Sequence, residues 1–197
     1  MNNKPKVSDA KKMTNNKFIN MYELNAQRRD SREFSYQVAS RAKNIEDLTA
    51  ISGKVKADAV AVLGMYNNKI VLIKQYRYPV GNYIYELPAG LIEGNEDTFT
   101  AAKREMFEET GLNLIPTEVQ WSINPWFSSP GMTDETCEIV IGKCLGIPTN
   151  KNQEETEDIQ VVLADKEEAI RILNTEIVDM RTALAIIMVF NLFNLNM

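Results

Sequence analysis

Short apolar runs broken by polar turns fill much of the chain, and their spacing predicts strands. Phe18–Leu24 and Phe34–Arg41 read as two strands on either side of the charged turn Gln27-Arg28-Arg29-Asp30. A lone two-stranded hairpin is marginal in water, so this pair must dock on the main domain or on a second copy. Residues 1–16 are polar and rich in lysine and asparagine, the composition of a loose tail. Residues 44–56 read as a connector in which Gly53 supplies a turn. The apolar runs 59–63 and 70–73 flank Asn67-Asn68 and predict buried strands joined by a tight turn. Tyr83–Leu87 is a further short strand. Val119–Phe127 and Glu135–Cys144 are strands separated by Ser128-Ser129-Pro130-Gly131, and Ile159–Leu163 follows the acidic loop 150–158.

Between 97 and 111 the period changes from two to that of a helix. Asp97 or Thr98 can accept from the free amides at its start, and Gly111 ends it. Phe99, Ala102 and Met106 form an apolar stripe, while Glu105, Glu108 and Glu109 gather on a polar face. Asp165 can cap a later helix containing Ala169, Ile170 and Leu173. Another helix starts near Asp179 and runs into the apolar stretch 183–195, which Asn191 and Asn194 interrupt. That stretch falls short of the ~20 residues a membrane span requires. Strands interleaved with helices predict an α/β fold, a mixed sheet with helices packed on both sides.

The chain contains no histidine. Histidine acid–base chemistry, imidazole zinc sites and Ser-His-Asp triads are thereby excluded, and a general base must be a carboxylate, lysine, tyrosine or thiol. The net charge of −5 argues against bulk binding of nucleic acid, which needs clustered lysine and arginine. Two cysteines, Cys137 and Cys144, are too few for a disulfide scaffold and suit reduced thiols in a cytoplasmic protein. The amino terminus has no apolar segment of the signal-peptide kind.

Three like charges on one helix face repel by a few tenths of a kcal/mol per pair. A solvated acidic face is the plain reading of such a cluster. A hard divalent cation reverses the sign, because carboxylate oxygens suit magnesium or manganese. The residues around the cluster extend the pattern. Gly90, Glu96, Arg104, Glu105, Met106, Glu108, Glu109, Gly111 and Leu112 stand at the spacing G-x5-E-x7-R-E-U-x-E-E-x-G-U, U being bulky and aliphatic. This resembles the Nudix box with every specified position filled. The resemblance implies an α/β/α sandwich and a hydrolase that cuts a nucleoside diphosphate linked to a further group.

Lys74-Gln75-Tyr76-Arg77, Glu86-Leu87-Pro88-Ala89-Gly90, Ser129-Pro130-Gly131 and Asp134-Glu135 resemble the ADP-ribose pyrophosphatase subfamily. Tyr36-Gln37-Val38-Ala39-Ser40-Arg41 is similar to its amino-terminal strand, although tryptophan and glutamate usually stand where Tyr36 and Gln37 do. Pro130 lies eighteen residues past Leu112, slightly further than the subfamily's usual proline. The resemblance implies metal binding by the Ala89 carbonyl, Glu105 and Glu109, with Glu108 sharing, and two or three magnesium ions, manganese being the alternative. It implies that Arg104 holds the glutamates, that Glu96 braces the loop, and that Glu157 or Glu155 helps activate water. Arg77, Glu86, Arg41, Tyr36 and Phe18 form the implied substrate contacts. Arg77 can instead simply pair with Glu86, and Tyr36 and Phe18 can be ordinary strand packing. The expected organisation is a tail at 1–16, a β subdomain at 17–56 serving dimerisation and substrate contact, and a hydrolase domain at 57–197. The implied reaction is ADP-ribose plus water giving AMP and ribose 5-phosphate. Another ADP- or GDP-sugar and a non-catalytic nucleotide-binding domain are the alternatives. A homodimer is expected, with no nucleic-acid or membrane partner.

Overall fold

A computed structural model describes residues 4–117, 125–153 and 157–193. The chain divides into two compact units, residues 1–58 with 122–137, and residues 59–121 with 138–197.

The first unit holds three strands, β1 (Lys6–Lys12), β2 (Asn20–Gln27) and β3 (Glu33–Ser40), paired antiparallel in chain order. The predicted hairpin is therefore the larger part of a three-stranded sheet. β1 corrects the expectation of a loose tail. Its inward positions carry only Val7 and Ala10, and a bulge between Val7 and Asp9 breaks the alternation that would mark a strand. One sheet face packs Ala10, Tyr22 and Leu24 on Leu48, which opens the short helix α1 (Thr49–Ser52). Phe34 and Tyr36 sit opposite Ala26 and Leu24 on that same face, yet remain 45% and 42% exposed. Gly53 closes α1 in the left-handed conformation, as the connector reading anticipated.

The second unit is built on a mixed sheet. β4 (Ala59–Tyr66) and β5 (Lys69–Arg77) pair only beside their turn, at Met65–Ile70 and Tyr66–Lys69. Asn67 and Asn68 both take positive φ there, the conformation a two-residue hairpin turn of this hand requires. Beyond the turn the two strands part. β6 (Asn82–Glu86) lies along β5 and β7 (Ala89–Leu91) along β4, filling the gap. The peptide between them is thereby held at the sheet centre, with the Val62 amide donating to the Pro88 carbonyl at 2.8 Å.

The helix α2 (Thr98–Thr110) follows, capped by Asp97, whose side chain accepts from the Thr100 amide, and ended by Gly111 at φ 71°. Next come β8 (Asn113–Pro116), the short β9 (Trp126–Phe127) in the first unit, and β10 (Thr136–Leu145), whose first two residues belong to the first unit. The expected strand 119–127 is thus seen only at its end, residues 118–124 lying outside those described. β11 (Ile159–Ala164) pairs with the outer edge of β5. The sheet order is β11-β5-β4-β10-β8.

The helices α3 (Lys166–Thr175) and α4 (Met180–Val189) are capped by Asp165 and Asp179. Within α3 the buried residues are Ala169 and Ile172, while Ile170 is 38% exposed. No helix among the described residues is long and apolar enough to cross a membrane.

α2 packs its Ala101, Ala102 and Met106 on Val60, Val62 and Val71 of the sheet. Small residues on both sides allow the close approach. A Cβ at Gly64 would meet the Cys144 Sγ at 2.6 Å and the Met106 Cε at 2.8 Å. Phe99, expected on this stripe, instead stays 43% exposed in the first turn of the helix.

Candidate active site

α2 sets the site because three and four residue steps return to the same side of a helix. Glu105 and Glu109 descend toward the β7 turn, and Glu109 is only 2% exposed. This corrects the expectation of a wholly polar carboxylate face, since Glu109 lies at the edge of the stripe carrying Ala102 and Met106. Its Oε2 accepts the Ala89 amide at 3.0 Å. Gly90 is required by close approach: a Cβ there would stand 1.9 Å from the Glu105 Oε1. The glycine turn and the helix are thus fitted to each other through two carboxylates.

Arg104 binds the rest of the cluster. It donates to the Glu96 Oε1 at 2.6 Å, the Glu105 Oε1 at 2.7 Å, the Glu108 Oε2 at 3.1 Å and the Leu91 carbonyl at 2.9 Å. Glu96 also accepts from Arg104 Nε at 3.3 Å and, through Oε1, from the Glu93 amide at 2.8 Å, so it ties the loop to the helix. The guanidinium lowers the Glu96 carboxyl below its ordinary range.

Burial works the other way deeper in the site. It raises the Glu105 carboxyl, with Arg104 opposing and the charges of Glu108 and Glu157 adding to the rise. It raises Glu109 well above the usual range, helped by Glu105 and Glu157 and opposed by the Ala89 amide and Arg77. Glu157 is therefore within electrostatic reach of both helix carboxylates. Glu155, the other loop acid singled out from the sequence, lies outside the described residues.

The donor set fits a hard divalent cation. Several carboxylates sit close enough to raise one another's pKa; Arg104 pairs with Glu105 and Glu108, and the charge of Arg77 acts on Glu109. Among the described residues no three acids already surround a common point, because Glu105 and Glu108 are turned onto Arg104. Ligation therefore requires side-chain rotation toward Glu109.

Arg77 donates to the Glu86 Oε2 at 2.6 Å, the pairing that the sequence left as an alternative to substrate contact. Glu86 is 7% exposed, so the pair fixes Arg77 at one end of β5. Gln75 lies two residues before it on the same face, and its buried Oε1 lacks a hydrogen-bond partner among the described residues. In the first unit, Arg41 donates to the Glu135 Oε1 at 2.8 Å, and the Tyr36 hydroxyl donates to the Gly131 carbonyl at 2.8 Å. Phe18 is 66% exposed with the Lys17 ammonium 4.8 Å from its ring centre.

Sequence patterns did not single out Tyr83, Gln153 and Asp158. The Gln153 amide donates to the Glu109 and Ile159 carbonyls, both at 3.1 Å, and the Tyr83 hydroxyl donates to the Asp158 carboxylate. A lone glutamine in the run NKNQEETED was the available signal, being a donor where its neighbours on the carboxyl side can only accept.

Fold and site together define an α/β protein whose central helix presents clustered carboxylates beside a glycine turn. The family model described as NUDIX domain matches residues 55–180, and the chain belongs to the Nudix hydrolase family. It is 32% identical over 152 residues to an ADP-ribose pyrophosphatase of Bacillus subtilis (strain 168), covering 72% of this chain and 80% of that one. It is 35% identical over 131 residues to a methanol dehydrogenase activator of Bacillus methanolicus, covering 65% and 69%. A crystal structure of an ADP compounds hydrolase has the same fold at a TM-score of 0.72 and 17% identity, covering 96% of this chain and 94% of that one.

Proposed function

We propose that the chain hydrolyses the diphosphate of ADP-ribose to AMP and ribose 5-phosphate, using magnesium. The observation that carries this reading is the complete box folded as a working unit, with Glu105 and Glu109 seated against the Ala89-Gly90 turn. The Bacillus subtilis relative named ADP-ribose pyrophosphatase supports the substrate. Glu105, Glu108, Glu109 and the Ala89 carbonyl would hold the metal. A divalent ion there supplies charge neutralisation for the diphosphate and a water of lowered pKa.

The chain's own residues do the rest. Arg104 holds Glu105 and Glu108 in their orientation. Glu157 takes the proton of the attacking water, since no histidine exists to do so and its charge acts on Glu105 and Glu109. Arg77, held by Glu86, meets the diphosphate through guanidinium nitrogens not used in that pair.

The chain works as a homodimer in which Phe18, Tyr36 and Arg41 of one copy complete the substrate site of its partner. Incubation with magnesium and a panel of ADP-, GDP- and UDP-sugars tests the substrate. The highest kcat/KM is expected for ADP-ribose. A preference for another sugar of at least tenfold keeps the chemistry and overturns the substrate.

A further inference from the structure

The acidic loop carrying Glu157 is fastened at both ends. At one end it caps α2. The last carbonyls of a helix have no partner within it, and here the loop supplies donors. The Thr149 amide reaches the Thr110 carbonyl at 2.8 Å, the Asn152 side chain the Phe107 carbonyl at 3.4 Å, and Gln153 the Glu109 carbonyl at 3.1 Å. Gln153 also holds the Ile159 carbonyl with the same nitrogen, joining helix end to strand start. At the other end, Asp158 is tied to two strands. Its carboxylate accepts from the Tyr83 hydroxyl of β6, and its carbonyl accepts from the Tyr76 amide of β5 at 3.1 Å.

Glu157 stands next to Asp158, four residues after Gln153. Its neighbour is thus fixed in side chain and backbone, and the loop's approach is fixed to the same helix that carries Glu105 and Glu109. We infer that Tyr83 and Gln153 are positioning residues for the reaction. The Tyr83–Asp158 hydrogen bond and the Gln153 bridge hold Glu157 at working distance from the α2 carboxylates. This rests on the reading of Glu157 as the water-activating group. The Tyr83 ring has its own support, meeting Tyr76 edge-on at 5.3 Å between centroids, so its hydroxyl can be removed without unseating it.

The test places Tyr83→Phe and Gln153→Ala in the native protein and in Glu157→Gln, with kcat and KM for ADP-ribose measured at saturating magnesium. A positioning role predicts kcat falling about 5- to 20-fold with KM within about twofold in the native background, and little further loss in Glu157→Gln. If Glu157→Gln lowers kcat but neither variant does, or each lowers it equally in both backgrounds, the positioning role is overturned and the base reading stands. If Glu157→Gln leaves kcat unchanged, the base reading fails and takes the inference with it. Thermal melting checks each variant. Should Gln153→Ala fail to fold, Tyr83→Phe, which loses one oxygen only, decides alone.

Discussion

Glu109→Gln should separate catalysis from stability in opposite directions. Glu109 is 2% exposed, and burial raises its carboxyl well above the ordinary value of 4.5. A carboxyl with a higher pKa folded than unfolded holds its proton more tightly when folded. Its stabilising contribution is full below the unfolded value and is lost as pH climbs through the folded one. Ionised Glu109 therefore weighs against the metal-free fold once pH passes the raised folded value. A tenfold change in a group's proton affinity between the two states corresponds to about 1.4 kcal/mol. Glutamine keeps the size and the acceptor facing the Ala89 amide while discarding the charge. Relief of that penalty should raise Tm, each kcal/mol being worth roughly 2–4 °C for a chain of this size. Melting followed by circular dichroism in chelator, from pH 4.5 upward, should show a gain that grows as pH rises and disappears near pH 4.5. The same substitution should cut kcat more than about tenfold, a loss above ~1.4 kcal/mol of barrier stabilisation. A variant less stable than the native protein throughout the range, or a gain independent of pH, refutes the argument that burial raises the Glu109 carboxyl.

Two further substitutions and one assembly state follow from the same geometry. Gly90→Ala would put a methyl group 1.9 Å from the Glu105 Oε1, so Glu105 must swing away; activity should fall at least about tenfold, while the far-ultraviolet dichroism spectrum stays native. Arg104→Lys replaces a fork that serves Glu96, Glu105 and Glu108 with a single ammonium, and a magnesium titration should show a changed metal requirement. Sedimentation at micromolar protein should give twice the chain mass, because Phe34 and Tyr36 remain 45% and 42% exposed beside the apolar face of their sheet. A clean, fully active monomer contradicts that. Mixing inactive Arg41→Ala and Glu109→Gln chains should then restore some activity, and no recovery despite demonstrated subunit exchange would place both residues in one chain's site.

The box was legible because its chemistry is local. Nine positions within one turn and one helix specify it, and Asp97 and Gly111 mark the helix ends in the structure as they do in the sequence. The Asn67-Asn68 turn was legible for the same reason. Glu109's burial was not legible. On a helical wheel it falls between the acidic face and the apolar stripe, and only the sheet beneath decides to which it belongs. Phe99 failed oppositely, fitting the stripe by angle but sitting too early in the helix to be covered. Strand β1 turns inward only two apolar side chains, Val7 and Ala10, so its pairing with β2 supplies what its own pattern lacks. β6 folds back on β5 as a hairpin, whereas the seating of β7 along β4 joins residues as distant as Ala59 and Leu91, which no local period encodes. The fastening of the acidic loop was hidden likewise, since Tyr83 and Asp158 are 75 residues apart.

The most direct measurement of the central claim is product identification from ADP-ribose. The native chain, incubated with ADP-ribose and magnesium, should yield AMP and ribose 5-phosphate in equal amounts, none of it in excess chelator and almost none with Glu109→Gln. Failure to cleave ADP-ribose or any other nucleoside diphosphate sugar, or cleavage that persists in chelator and in Glu109→Gln, would contradict the account.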